Sequence, residues 1–121
     1  MTTYNQNFSY TIVAGADLSA AQYKGVAETG ILAASATNGI GILQNKPRSG
    51  EYGTVCKVGV TKAIVAGAVS AGEFVGYSGV TSGFLAAVTS GGIACGRVVT
   101  GAASGFLAGV YLFGGPCYIA L

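Results

Sequence analysis

The stretch GILAASATNGIG, from Gly30 to Gly41, returns in altered form as GFLAAVTSGGIA, from Gly83 to Ala94. Six of the twelve positions are identical, and the second stretch lies 53 residues after the first. Most of the remaining positions exchange similar residue types. Self-similarity at a fixed spacing indicates repeated structure, so the chain is predicted to contain two copies of one supersecondary unit.

The similarity continues beyond these stretches with a spacing of 55 residues. Ser49-Gly50 and Val55 in the first copy are matched by Ser104-Gly105 and Val110 in the second. A catalytic site would break the pattern in one of the two copies, and no such break is visible. The repeat therefore favours a structural role for the protein.

Short apolar runs bounded by Gly, Ser or Asn recur along the chain and are typical of β-strands and turns. Helix is predicted only as a single turn over 17–21, capped by the Asp17 carboxylate. Turns are predicted at Ser49-Gly50, Val58-Gly59, Ala71-Gly72, Ser78-Gly79 and Gly114-Gly115-Pro116. Strands are predicted over 8–13, 22–27, 39–44, 52–58, 61–65, 74–77, 84–88, 92–99 and 106–113, with a further strand over 118–121 left open. The fold class is therefore all-β, an antiparallel barrel or sandwich built from two related halves.

The composition leaves little charge to cover the surface. Charged residues make up 8% of the 121 residues, 51% are apolar and 21 are glycine, whereas ordinary soluble domains carry about 25% charge. Part of the surface is therefore expected to be covered by other subunits, in a closed homo-oligomer that we expect to be a trimer. A net charge of +2 from scattered Lys and Arg disfavours nucleic-acid binding.

The segment from Val98 to Leu121 has no charged residue and raises the question of a membrane span. Its glycines, Pro116 and polar residues argue against a membrane helix. The matching part of the first copy, from Ile42 to Lys57, carries four charged residues and could not cross a bilayer. Since the first twenty residues also lack a secretory signal, we expect no membrane partner and synthesis in the cytoplasm.

The chain offers little catalytic chemistry. It has no histidine, which removes the usual general base and the commonest metal ligand. Its four carboxylates are spread singly, so neither a paired-acid site nor a metal cage is indicated, and Glu51 and Glu73 are interpreted as solvated turn residues. We therefore predict no catalytic residue, no metal and no cofactor. The three cysteines, Cys56, Cys95 and Cys117, are expected to be reduced, with one disulfide left open.

Three blocks of the sequence resemble the small capsid decoration, or cement, proteins of tailed bacteriophages. They are DLSAAQY from Asp17 to Tyr23, GIGILQNKP from Gly39 to Pro47 with the following SGE, and AGAVSAGEFV from Ala66 to Val75. The order and spacing of the blocks extend the resemblance from about Thr11 to Leu112. The stretch IGILQNKP followed by GE is the most specific part.

The resemblance implies a compact β-barrel or β-tulip head that binds the outer surface of an icosahedral capsid, usually as a trimer, and stabilises it. It implies the major capsid protein and further copies of the chain as partners, and no enzyme activity. Lys46, Pro47 and Arg48, in the most specific block, are expected at a subunit interface. The chain has fewer acidic residues than is usual among such proteins.

The segment that precedes the repeat is interpreted as an N-terminal arm over 1–15, followed by a β-barrel decoration domain over 16–121. It is uncharged before Asp17, and Tyr4, Phe8 and Tyr10 are spaced as one face of an extended strand. These side chains are expected either to pack in the core or to contact the capsid or a neighbouring subunit.

Two other classes of function stay open. A tail-tube, head-fibre or surface-array subunit would share the glycine-rich β composition. An enzyme or ligand-binding barrel would need a polar pocket with a carboxylate buried beside Lys or Arg.

Overall fold

The computed structural model describes residues 8–33, 39–77, 84–88 and 92–118, and at Tyr10 and 115–118 it describes the backbone alone. The described residues contain no helix. Their strands are β1 (Phe8–Val13), β2 (Gly25–Ala27), β3 (Gly39–Leu43), β4 (Tyr52–Ile64), β5 (Phe74–Tyr77), β6 (Leu85–Ala87), β7 (Ile93–Thr100) and β8 (Leu107–Tyr118).

All eight strands belong to one antiparallel sheet with the order β2-β3-β4-β8-β7-β5-β6, and β1 pairs with β4. The far end of the sheet returns to its middle, because Leu85 of β6 forms a bridge with Val65, just after β4. The Ala66 amide donates to the Leu85 carbonyl at 2.8 Å. The sheet is thus nearly closed into a barrel, which confirms the predicted all-β, barrel-like fold class.

The two longest strands correct the predicted turns. β4 runs without interruption through Gly59, and β8 runs through Gly114, although the sequence analysis placed a turn at each glycine. Gly59 has a φ of 118° and Gly114 a φ of 98°. Each glycine therefore accommodates an irregularity inside a strand, where positive φ is tolerated without a Cβ, and the chain does not reverse there.

The internal repeat is visible in the backbone. β4 and β8 begin 55 residues apart, and the turns before them contain Gly50 and Gly105, which share a φ of 84°. The strands also pair with each other about equivalent positions, since Val58 lies opposite Phe113. The long strands of the two copies are therefore related by an approximate two-fold arrangement.

Two apolar clusters form the core. The first lies inside the barrel and the second lies against the beginning of β4. Val55 and Cys56 are consecutive in β4 and both fully buried, with Val55 in the second cluster and Cys56 in the first. Since successive strand residues point to opposite faces, β4 is covered on both sides at this level.

The second cluster is closed by the segment between β1 and β2. Leu18 and Ala21 of this segment are buried, and the Leu18 amide donates to the Pro47 carbonyl at 2.9 Å. The Asp17 carboxylate accepts a hydrogen bond from the Ser19 amide at 3.0 Å, as predicted for a cap, but the segment forms turns and no helix.

Part of the segment interpreted as an arm is a strand of this sheet. β1 pairs with β4 from Phe8 opposite Val58 to Val13 opposite Tyr52. Ile12 is 7% exposed and belongs to the second cluster. From residue 8 onward the chain therefore packs on the sheet, because β4 offers it both backbone partners and an apolar face, whereas residues 1–7 lie outside the described residues.

The uncharged segment after Val98 forms the end of β7 and then β8. In the described ranges there is no helix of the length and apolar character needed to span a membrane.

Candidate interaction surface

The alternation of side chains along β8 separates a buried face from an exposed one. Ala108, Val110 and Leu112 are buried in the first cluster, whereas Leu107 and Tyr111 are 44% and 45% exposed. Strand geometry places these two sets on opposite sides of the sheet. β8 therefore presents apolar side chains to solvent.

Neighbouring strands extend this exposed surface into a row. Val60 of β4 lies opposite Tyr111, Tyr111 lies opposite Arg97 of β7, and Arg97 lies opposite Phe74 of β5. Directly paired residues of an antiparallel sheet project on the same side. We call this side the outer face, and its members are Val60, Lys62, Phe74, Arg97, Val99, Leu107, Tyr111 and Phe113.

Aromatic contacts hold the centre of the outer face in place. The Phe113 ring lies 6.2 Å from the Phe74 ring and 6.0 Å from the Tyr111 ring, both in edge-to-face geometry. The Arg97 guanidinium lies 5.4 Å from the centre of the Phe74 ring, and its Nε donates to the Gly72 carbonyl at 3.0 Å. These side chains are thus positioned before any partner binds.

A second surface lies where β4 begins. The backbone joins three turns there, since the Ala14 amide donates to the Glu51 carbonyl and the Gly15 amide donates to the Gly30 carbonyl, each at 2.9 Å. Val13 and Tyr52 pair across β1 and β4 and are 54% and 72% exposed. An apolar pair is therefore exposed beside these turns.

Three of the four carboxylates of the chain accompany these turns. We call this surface the acidic end, and its members are Val13, Asp17, Glu28, Lys46, Arg48, Glu51 and Tyr52. The hydrogen bond from Ser19 and, to a smaller extent, the charge of Arg48 hold the pKa of Asp17 below its ordinary value. The formal charge of the acidic end is −1, from three carboxylates and two cations.

The predicted interface residues occupy the acidic end but have different environments. Pro47 is buried inside the subunit, whereas Lys46 and Arg48 are exposed. The Arg48 amide donates to the Glu51 carboxylate at 2.7 Å, and the Glu51 amide donates to the Arg48 carbonyl at 2.9 Å. Lys46 and Arg48 are thus the two members of the predicted set that a partner could reach.

The predicted N-terminal contact residues are only partly described. Tyr4 lies outside the described residues, and for Tyr10 only the backbone is described, opposite Val55. Phe8 is 60% exposed and lies opposite Val58. Among the three, Phe8 is therefore the side chain whose accessibility the structure shows.

The remaining polar groups have local structural roles. The Glu73 carboxylate accepts from the Ser70 amide at 2.6 Å, which repeats the arrangement of Glu51 and Arg48 three residues apart. Each carboxylate closes a turn that contains a glycine of positive φ, Gly50 in one and Gly72 in the other. Within the described ranges, no group of three or more His, Cys, Asp or Glu side chains is placed to hold a metal ion.

Burial governs the two cysteines whose side chains are described. Cys56 and Cys95 are buried and not disulfide-bonded. Burial raises the pKa of the Cys56 thiol, and it raises the pKa of Cys95 to about 12. Both are therefore packing residues with little tendency to react.

The outer face was not predicted from the sequence. The only available signal was the two-residue spacing of Leu107, Tyr111 and Phe113 within a strand. The buried residues between them are equally apolar, so the pattern did not indicate which side would face solvent.

The fold is similar to one solved structure of a phage protein. No protein-family model matches the chain, and no curated protein matches its sequence. A search of solved structures finds the crystal structure of the head fiber gp8.5 N base in bacteriophage phi29, with a TM-score of 0.70 and 16% sequence identity. The match covers 91% of this chain and 97% of that one, so the chain has the fold of this head-fibre base over nearly its whole length.

Proposed function

We propose that the protein is a structural component of a tailed-phage particle that binds the outer capsid surface and stabilises the shell as a homotrimer. The observation that carries the proposal is the fold match to a phage head-fibre base across nearly all of both chains. The sequence blocks that resemble capsid decoration proteins support it independently. The proposed partners are the major capsid protein and further copies of the chain, with no nucleic acid, membrane, cofactor or catalytic activity.

The surface of the subunit is suited to association. Only 8% of the residues are charged, and the outer face exposes Val99, Leu107 and Tyr111 side by side on β7 and β8. Exposed apolar patches of this kind mark surfaces that bind other proteins. In a trimer the capsid contacts would reinforce one another, since one docked subunit raises the effective concentration of the others.

A head-fibre base is the second candidate, and the solved structure favours it directly. Such a protein would be attached to the capsid but would carry a further extended component and need not stabilise the shell. Both candidates are virion proteins made in the host cell, and they differ in whether the bound protein strengthens the capsid.

The deciding experiment mixes the purified protein with expanded shells of the same virus that lack it. Co-sedimentation measures attachment, and the melting temperature of the shells with and without the protein measures stabilisation. Attachment with an increase in shell melting temperature supports cementing. Attachment without an increase favours the fibre base, and no attachment at saturating protein overturns the capsid-binding proposal.

We propose that the start of β1 contributes to attachment. Phe8 is 60% exposed at the beginning of this strand, beside Val58 of β4. The variant Phe8→Ser is expected to keep the wild-type melting temperature and to weaken co-sedimentation with shells. The matched control is Thr11→Ser, an exposed change on the same strand, and equal binding by Phe8→Ser and this control would exclude the contact.

A further inference from the structure

We propose that the outer face of one copy binds the acidic end of the next copy, so that the copies form a closed ring. The inference rests on the homo-oligomer of the proposed function and names its interface. Each subunit would use both surfaces at once, one toward each neighbour.

Both surfaces expose the side-chain types that dominate protein interfaces. The outer face offers Tyr111, held by edge-to-face contact with Phe113, and the acidic end offers Tyr52, 72% exposed. Each tyrosine has an exposed valine as neighbour, Val60 beside Tyr111 and Val13 beside Tyr52. Aromatic side chains in such settings often supply most of the binding energy.

The charges of the two surfaces are complementary. The outer face carries Lys62 and Arg97, and the acidic end carries three carboxylates against two cations. Glu51 and Lys62 are eleven residues apart along β4, which corresponds to about 36 Å in an extended strand. The two surfaces are therefore too far apart to contact each other within one subunit, whereas two copies could bring them together.

The size of the outer face favours two different contacts per copy over one symmetric contact. Four strands at a spacing of about 4.8 Å, each contributing about 20 Å of length, give an area of roughly 400 Å². A stable interface buries about 800 Å² on each partner. A face-to-face dimer would supply only about half of this area, whereas a ring adds the acidic end of every copy to its outer face.

A ring requires contacts between unlike surfaces, and this requirement gives a sharp test. Tyr111→Asp disables the outer face, Tyr52→Asp disables the acidic end, and Ala87→Asp on β6 is the matched control two strands away from β8. Each tyrosine variant alone is expected to be monomeric by sedimentation, with self-association weakened on the order of thirtyfold, as for loss of an interface anchor. The control is expected to keep the wild-type assembly.

Mixing the two tyrosine variants is the decisive step. Tyr111→Asp keeps its acidic end and Tyr52→Asp keeps its outer face, so the mixture is expected to form one-to-one heterodimers, detected by native mass spectrometry. Continued self-association of either variant alone, or a mixture that stays monomeric, overturns the inference.

A charge exchange keeps the proposal testable if an aspartate variant does not fold. Lys62→Glu and Glu28→Lys are changes at exposed positions, and each is expected to weaken assembly. Mixing the two single variants is expected to restore a contact between the new glutamate and the new lysine. An unchanged assembly in both variants overturns the inference.

The wild-type protein separates the failure of this interface from the failure of the proposed function. A wild-type chain that is monomeric at micromolar concentration contradicts the homo-oligomer itself. A wild-type oligomer that persists in both tyrosine variants contradicts only the assignment of the interface. Shell binding, measured separately, is not decided by either result.

Discussion

Gly59 and Gly114 occupy equivalent positions of the two copies, 55 residues apart, and both adopt positive φ inside a long strand. They flank the point where β4 and β8 meet, since Val58 lies opposite Phe113. The repeat therefore preserves a strand irregularity as well as a pattern of residue types.

Substitution of the repeat glycines by alanine is expected to destabilise the fold by amounts that depend on local space. At Gly50 and Gly105 no atom lies near a new Cβ, so Gly50→Ala and Gly105→Ala should each cost about 1 kcal/mol through positive φ alone. Gly114→Ala should cost more, because its Cβ would lie 2.9 Å from the Val58 side chain. Urea unfolding measures these costs.

The control for this series is Gly50→Asn, because asparagine tolerates positive φ better than alanine. It is expected to recover part of the stability lost in Gly50→Ala. Equal stability of the wild type and Gly50→Ala would contradict the assigned backbone conformation.

Removal of a turn-closing carboxylate is expected to weaken the fold moderately. Glu51→Ala and Glu73→Ala each remove the acceptor for a backbone amide, a loss of about 1 kcal/mol by analogy with helix caps. Glu51→Gln and Glu73→Gln keep an acceptor oxygen and should lose less. Thermal melts of the four variants check the order, and equal losses for Ala and Gln would argue against the hydrogen bonds.

The pH dependence of Asp17 follows from its lowered pKa. A carboxyl whose folded pKa lies below its ordinary value of 3.8 stabilises the fold above that value, and the stabilisation is lost as the pH falls through the folded pKa. Asp17→Asn should therefore differ from the wild type at pH 6 and approach it near pH 2 to 3. Unfolding free energies at both pH values test this, and a difference that grows in acid would reverse the sign.

The buried cysteines are expected to be unreactive in the folded protein. At pH 8 a thiol with a pKa of about 12, as for Cys95, is almost entirely protonated, and burial also blocks access to Cys56. In a Cys117→Ser background, a thiol reagent should label no residue without denaturant and two residues in urea. Rapid labelling of the folded chain would show that the barrel opens.

The first strand is expected to be required for stability. Ile12→Ala removes a side chain from the second cluster and should cost about 2 to 4 kcal/mol, whereas Thr11→Ala changes an exposed neighbour and should cost little. Deletion of residues 2–7 leaves β1 intact and should preserve the melting temperature. A deletion variant that fails to fold would show that β1 needs the residues before it.

The sequence by itself determined the class of fold and its internal symmetry. Short apolar runs between glycines predicted strands at Phe8–Val13 and Phe74–Tyr77 with the observed bounds. The repeat predicted two related units, and the matched φ of Gly50 and Gly105 agrees with it. These features are local, since they depend on residue types and spacing within one segment.

The tertiary structure alone decided where the strands continue, which sides are covered and what remains exposed. Glycine at 59 was compatible with a turn or a bulge, and only pairing of β4 with β8 selected the bulge. The alternation around Tyr111 gave two apolar sides, and only closure of the sheet buried Val110 and left Tyr111 exposed. In a chain that is 51% apolar, periodicity defines the faces of a strand, but packing against distant strands determines which face becomes the surface.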